Sequence, residues 1–389
     1  MMEDRFVYAD NAATTPIDPR VLEKMMPFLT TEYGNASTLY SLGASSHEAM
    51  EEARREVALL MNAEPEEIFF TGCGSESDNM ALRGWMHSKQ NKGKKHLITT
   101  NIEHHAILHT AQALEKEGFE VTYLQVNEHG MVELDKLEAA IRPDTALVSV
   151  MFANNEIGTI NPIAEIGKLC REKGIIFHTD AVQAYGHIPV DVKAMNIDIL
   201  SLSGHKINAP KGVGAIYIRK GIMLNPVITG GGQERGRRAG TENVASIVGL
   251  GEAARLKRVH MEEEIAYTGA LSRKLIDGVL KFPDTILTGH PTQRLPGTCS
   301  FCINAIEGES LVLMLDMNGI CASTGSACST GSLDPSHVLL GIGLSHEISH
   351  GSLRLTLGTQ NTEEDVRYIL ERLEEVVKTL RAMSPIWHE

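Results

Sequence analysis

Short apolar runs recur along the chain, each stopping abruptly at small or polar residues, and apolar positions at helical spacing fill most intervals between them. The runs at 67–71, 96–100, 146–152, 174–179 and from 198 read as strands. Helices are expected from about Pro19, over 47–61, after the glycine turn through about 86, over 106–114, 163–173 and 250–280, and at 362–382. In the last of these, Val366, Ile369, Leu370, Leu373, Val376 and Val377 lie at helical spacing and read as plain packing. Such alternation predicts an α/β fold, with a mostly parallel sheet between helices. The expected division is a large domain, 15–259, and a small α/β domain made of 1–14 and 260–389. The helical pattern 250–280 would bridge the two.

Polar side chains gather where the apolar runs end, and open parallel sheets bind ligands at that edge. The run from Asp198 breaks into Ser203-Gly-His-Lys206. A lysine there is either a solvated residue past a strand or, if desolvated, a neutral amine able to add to a carbonyl. Asp180 follows another apolar run. It is either a turn former or the anion that keeps an aromatic nitrogen base protonated. Lys206 comes 26 residues after Asp180, a spacing suited to neighbouring parallel strands joined by a crossover. The turn Gly72-Cys-Gly-Ser-Glu-Ser-Asp78 before a helix reads as an ordinary cap or as a phosphate cradle, with Gly74 admitting the backbone and Ser75 adding a hydroxyl. In Glu103-His104-His105, either histidine could cap a helix or sit over a flat ligand.

Composition narrows the function classes. The 389 residues are 42% hydrophobic, enough for a large core and a smaller one. A formal net charge of -14 repels nucleic acid and anionic membrane, with Arg235-Gly-Arg237-Arg238 a short basic exception. No apolar run approaches the roughly 18 residues of a membrane span, and Met1-Met-Glu-Asp-Arg-Phe6 lacks the core of a signal peptide, so a cytoplasmic protein is expected. The six cysteines form no disulfide framework and are expected as thiols. Cys299 and Cys302 lie in a strand pattern that points them to opposite faces, which argues against metal binding by this pair.

Nine motifs in this order resemble a known family. They are Asp10-Asn-Ala-Ala-Thr-Thr-Pro16, Thr71-Gly-Cys-Gly-Ser-Glu-Ser-Asp-Asn79, Glu103-His104, Asn154-Asn155-Glu-Ile-Gly158, Asp180-Ala-Val-Gln183, Ser203-Gly-His-Lys206, Arg237-Arg-Ala-Gly-Thr241, Ser323-Thr-Gly-Ser-Ala-Cys328 and Leu353-Arg354-Leu355. Together they span nearly the whole chain. The chain resembles the cysteine desulfurases of the nitrogen-fixation and iron-sulfur-cluster type, fold-type I enzymes of the class V aminotransferase family that use pyridoxal 5′-phosphate.

That resemblance implies a role for each residue. Lys206 would be the Schiff-base lysine and the base that moves the Cα proton, Asp180 the partner of the pyridine nitrogen, and His104 the residue stacked on the ring and relaying protons. Asn155 and Gln183 would orient the substrate and the ring hydroxyl. Gly74, Ser75, Ser203 and His205 would hold the phosphate, with Thr241 reaching over from a second subunit of a homodimer. Arg354 would clamp the substrate carboxylate as a bidentate fork. Cys328, in a run of small residues expected to form a mobile loop at about 321–335, would take sulfur from L-cysteine as a persulfide, leaving L-alanine, and pass it to a partner. The partner implied is an iron-sulfur cluster scaffold protein, where Cys328 could serve as a transient cluster ligand; no other metal site is expected.

The chain departs from the family's pattern in places. Ser75 stands where many members have threonine, and Cys73 and Cys321 are additional thiols. The loop resembles the family's first class, since the second has a shorter loop and another motif. The sequence stops at Met383-Ser-Pro-Ile-Trp-His-Glu389, without the longer tail by which housekeeping members engage the scaffold, which leaves the acceptor open. A selenocysteine lyase or related aminotransferase would share Lys206 and Asp180 without needing Cys328. A non-catalytic sulfur or metal carrier would need the cysteines without Lys206.

Overall fold

The computed structural model describes residues 5–325 and 335–387. Its strands are β1 (Val7–Tyr8), β2 (Ile68–Thr71), β3 (His96–Thr100), β4 (Glu120–Leu124), β5 (Thr145–Ser149) and β6 (Ile176–Asp180). They continue as β7 (Ile199–Ser203), β8 (Gly214–Ile218), β9 (Thr285–Leu287), β10 (Thr298–Ile303), β11 (Ile320–Cys321) and β12 (Ser352–Thr356). The α-helices begin with α1 (Pro19–Thr30), α2 (Ser41–Leu59), α3 (Gly74–Met86), α4 (His105–Lys116), α5 (Leu134–Ala140) and α6 (Ile163–Lys173). After these come α7 (Val244–Val279), α8 (Gly308–Asp316), α9 (His337–Gly341), α10 (His346–His350) and α11 (Glu363–Met383).

Seven strands form one sheet in the order β2-β8-β7-β6-β5-β3-β4. Only β8 runs against its neighbours, so the other strands deliver their carboxyl ends to one edge. Successive residues of these strands face opposite layers, as the two-residue period requires. Phe69, Leu97, Leu147 and Ile199 pack beneath α3 and α4 with Met80, Leu82 and Ile107. Phe70, Ile98, Val148 and Leu200 pack into the other layer with Val57, Ile166 and Leu250. A third core gathers Val7 and Ala9 with Leu271, Leu275, Phe301, Leu353 and Leu373 around the antiparallel sheet β12-β10-β9.

The helix α7 is 36 residues long, about 54 Å at 1.5 Å per residue, and supplies apolar residues to the first core at one end and the third at the other. It begins at Val244 rather than at Leu250. Its opening Val-Ala-Ser-Ile-Val-Gly has weak helix propensity, but Asn243 caps Ser246 N and tertiary packing overrides the sequence. A Cβ on Gly251 would stand 2.4 Å from Ala53 Cα, so glycine there lets α7 and α2 approach closely. The helix α2 likewise starts at Ser41, six residues before the periodic pattern, with Gly43 and Ser46 buried. By contrast α6 matches its expected bounds, because Gly174 in the left-handed conformation (φ 65°) stops it.

Candidate active site

The strand β7 feeds the one-turn 3-10 segment Gly204–Lys206, which turns Lys206 over the carboxyl edge of the sheet. The adjacent parallel strand β6 ends at Asp180, so the two residues reach the same place from neighbouring strands. Lys206 Nζ donates to the carbonyls of Ala12 (2.6 Å) and Ala13 (2.8 Å). That N-terminal segment is fixed in turn. Gln183 Nε2 donates to Ala12 O (3.0 Å), Thr15 Oγ1 donates to His205 O (2.9 Å), and Thr14 Oγ1 meets His205 Nδ1 at 3.1 Å.

Around this point opens a cavity of ≈390 Å³, within the roughly 300–1,000 Å³ of small-molecule sites. Gly74, Ser75, His104, Asn155, Asp180, Gln183, Ser203, His205, Lys206 and Arg354 all line it. Thr241 does not; it is exposed, away from the cavity of its own chain. Cys328 lies outside the described residues.

Environment sets the charge states. Burial raises the Asp180 pKa, opposed by a hydrogen bond from Val182 N (2.9 Å) and by Lys206. His104 is the N-cap of α4, its Nδ1 accepting from Ala106 N (3.1 Å), and burial with Lys206 pushes its pKa down to about 4. The ring is therefore neutral near pH 7, with its proton on Nε2. His105 does not line the cavity and stacks instead on His109. Arg354 is 3% exposed, donating from Nη1 to Asn155 O and from Nη2 to Asp10 Oδ1, both at 2.9 Å. Its Nε has no hydrogen-bond partner among the described residues.

Residues 7–369 match the family described as Aminotransferase class-V. The chain belongs to the class-V aminotransferase family. Among curated proteins it is 55% identical to the cysteine desulfurase IscS of Methanosarcina thermophila over 384 residues, covering 99% of this chain and 95% of that one. It is 56% identical to the protein of the same name from Clostridium botulinum, covering 98% and 97% of the two chains. A solved NifS-like protein superposes with a TM-score of 0.91 at 39% identity, covering 97% of this chain and all of that one.

The cofactor that class V implies is pyridoxal 5′-phosphate, and the cavity suits it on three counts. The first turn of α3, where N–H groups lack intrahelical partners, lines it through Gly74 and Ser75, together with Ser203. A Cβ on Gly74 would come within 2.7 Å of Val182 Cγ2, so only glycine lets that first turn close over the cavity. Asp180 supplies a buried carboxylate and Lys206 an amine at the same end.

Other features of the site escaped the sequence reading. Asp78 lines the cavity from α3, although the motif gave no sign that it points inward. Asp10 holds Arg354 across 344 residues of sequence, a pairing that no local pattern shows. Glu103 and Glu156 are buried, with burial raising their pKa values to about 8 and about 7. Glu156 accepts from Ser336 Oγ, on the chain returning from the 326–334 segment.

Of the cysteines, Cys170, Cys299 and Cys302 are buried, with pKa values pushed up to about 12, while Cys73 is exposed. Cys299 joins the third core and Cys302 the first, on opposite faces of β10 as the strand pattern expects. Among the described residues no group of three His, Cys, Asp or Glu side chains could hold a metal ion, and no helix is long and apolar enough to cross a membrane.

Proposed function

We infer that the protein is a pyridoxal-phosphate-dependent cysteine desulfurase that converts L-cysteine to L-alanine, leaving the sulfur as a persulfide on Cys328. The observation carrying this reading is the convergence of Lys206, Asp180, His104 and Arg354 on one cavity at the carboxyl edge of the sheet. Lys206 Nζ would hold the cofactor covalently, Asp180 would bind its ring nitrogen, and His104 would cover the ring face. Asn155 and Gln183 would orient substrate and ring, and Gly74, Ser75, Ser203 and His205 would seat the phosphate. When bound, the cofactor supplies the electron sink for the pair left after Cα deprotonation.

The chain's own groups then do the rest. The Arg354 fork binds the cysteine carboxylate and fixes which Cα bond faces Lys206. Lys206 Nζ takes the Cα proton and returns it to the carbon skeleton. His104, neutral and carrying its hydrogen on Nε2, offers a hydrogen-bond donor over the cavity without adding charge. The Cys328 thiolate attacks the substrate sulfur, whose bond to Cβ breaks. Cysteine plus enzyme thiol thus becomes alanine plus enzyme persulfide, with no outside oxidant.

We also assign a homodimer in which Thr241 of the partner subunit completes the phosphate site. The exposure of Thr241 supports this, together with the exposed apolar residues Leu22, Met26, Leu29, Tyr33 and Leu39 on and after α1. An iron-sulfur cluster scaffold in the cytoplasm would accept the sulfur, with Cys328 as transient cluster ligand. The division into 15–259 and 1–14 with 260–389 follows the separate third core, which Val7 and Ala9 join.

One experiment tests the reading. Purified protein loaded with pyridoxal phosphate and given L-cysteine should yield alanine and, with reductant, sulfide in equal amounts. Alkylation after one turnover should place the extra sulfur on Cys328 rather than Cys321. Absence of alanine rejects the desulfurase reading, and sulfur trapped first on Cys321 rejects the assignment of the nucleophile.

A further inference from the structure

Three buried carboxyls act on one another at the cavity, two of them lining it, and the mechanism above uses one of them. Asp180 ends β6, Asp78 sits in the second turn of α3, and Glu103 precedes α4; they are 6%, 1% and 0% exposed. Asp180 has the Val182 N–H and the nearby charge of Lys206 on its side. The groups acting on Asp78 are instead Asp180, Glu103 and the Ser201 hydroxyl, none of them a cation. Among the described residues Asp78 Oδ1 has no hydrogen-bond partner, yet the residue lines the cavity.

His178 Nε2 stands 3.8 Å from that oxygen. His178 is fully buried between Ser149 Oγ (2.9 Å) and Ser201 Oγ (3.0 Å), and burial pushes its pKa down to about 3. It offers Asp78 no counter-charge. The facing titratable groups are therefore His178 and Asp180 from β6, Glu103 from the turn before α4, and Lys206 beyond β7. Ser149 of β5 and Ser201 of β7 complete the enclosure without titrating.

We propose that Asp78 is a positioning residue for the cofactor ring, a neutral carboxylic acid held through Ser201 and His178 that leaves Asp180 as the single anion beneath the ring nitrogen. Two buried carboxylates that repel each other do not both ionise, and their shared proton goes to the one with neither a cation nor a backbone donor on its side. If the proton sat on Asp180, the ring nitrogen would lose its anion and the electron sink with it. Asp78 thus acts through Asp180, and this inference rests on the cofactor reading given above.

The test compares Asp78→Asn and Asp78→Ala with the unaltered protein by cofactor dissociation constant, by pH titration of the bound-cofactor absorbance, and by thermal unfolding without cofactor. Asparagine keeps the shape and neutrality, so its dissociation constant should stay within about threefold and its titration should not move. Alanine removes the hydrogen-bonding group and admits water, so it should weaken cofactor binding about tenfold and shift the titration, with unfolding as the check on the fold. Alanine matching the unaltered protein, or asparagine matching alanine, overturns the proposal. Should the alanine variant fail to fold, the asparagine variant still decides: a titration moved by about one unit or more would mean that a charge had been lost, and Asp78 is then the anion. Unaltered protein that takes up no pyridoxal phosphate overturns the function proposal and this one together, whereas failure of the variant contrast overturns this one alone.

Discussion

Strands β6 and β7 run side by side in the same direction and end at Asp180 and Ser203, while β10 and β12, equally buried, run antiparallel in the three-stranded sheet. In the first arrangement neighbouring strands release their polar turns at one edge, so Asp180, Ser203, His205 and Lys206 meet over a single cavity. In the second, adjacent strand ends point to opposite edges. That sheet contributes one residue to the cavity, Arg354, from the middle of β12. The difference teaches where chemistry collects in such a chain: direction of the strands, more than burial or composition, decides whether polar stops converge.

Changing the single residue that the antiparallel sheet supplies tests the comparison most severely. Arg354→Lys keeps the charge and loses the planar fork that now donates to Asp10 and Asn155. With two charge-assisted hydrogen bonds at stake, kcat/KM for L-cysteine should fall about 100-fold, mostly through KM. Steady-state alanine formation measures it. A loss below about threefold would mean that the substrate carboxylate is bound elsewhere and that this sheet has no part in catalysis.

The same comparison explains what the sequence made legible. Asp180 and Lys206 stood out because each follows an unbroken apolar strand, and a polar stop after such a run is a local signal. The bounds of α6 were readable because Gly174 ends it. The early starts of α2 and α7 were hidden, since Gly43 and Gly249 weaken the local helix signal and are packed closely in the fold, by Thr38 in one case and Met25 in the other. Asp78 and Asp10 were hidden for a related reason. Their significance lies in partners brought near by folding, Asp180 for one and Arg354 for the other, and neither partner lies near in sequence.

A smaller effect, confined to the parallel sheet, concerns Glu103 and pH. Its Oε1 accepts from Thr100 Oγ1 (2.8 Å) and Met151 N (3.0 Å), its Oε2 has no partner among the described residues, and burial raises its pKa from 4.5 to about 8. Between those values the unfolded chain is ionised at this position and the folded chain keeps the proton. Here stability is lost as pH rises, the reverse of a salt-bridged carboxylate, by roughly 1.4 kcal/mol per pH unit. Glu103→Gln stays neutral and can accept both hydrogen bonds. Unfolding of cofactor-free protein at pH 6 and pH 7 should therefore show the variant gaining on the parent by about 1 kcal/mol over that step. Parallel pH dependence in the two proteins would mean that Glu103 is ionised when folded.

The smallest effect should come from a thiol of the antiparallel sheet. Cys299 lies in the third core with its Sγ 3.6 Å from Ser272 O, and burial lifts its pKa to about 12, so almost none of it is thiolate near neutral pH. An un-ionised, enclosed thiol neither attacks a substrate sulfur nor receives one. Its contribution is packing. Cys299→Ala should cost about 1 kcal/mol of stability, the value of one small apolar group lost from a core, and should leave alanine formation within about twofold. Alkylation of the native protein should meanwhile label the exposed Cys73 and spare Cys299. If Cys299→Ala abolished persulfide formation while the fold persisted, sulfur would have to pass through the antiparallel sheet, and the contrast between a sheet that gathers chemistry and one that packs would fail.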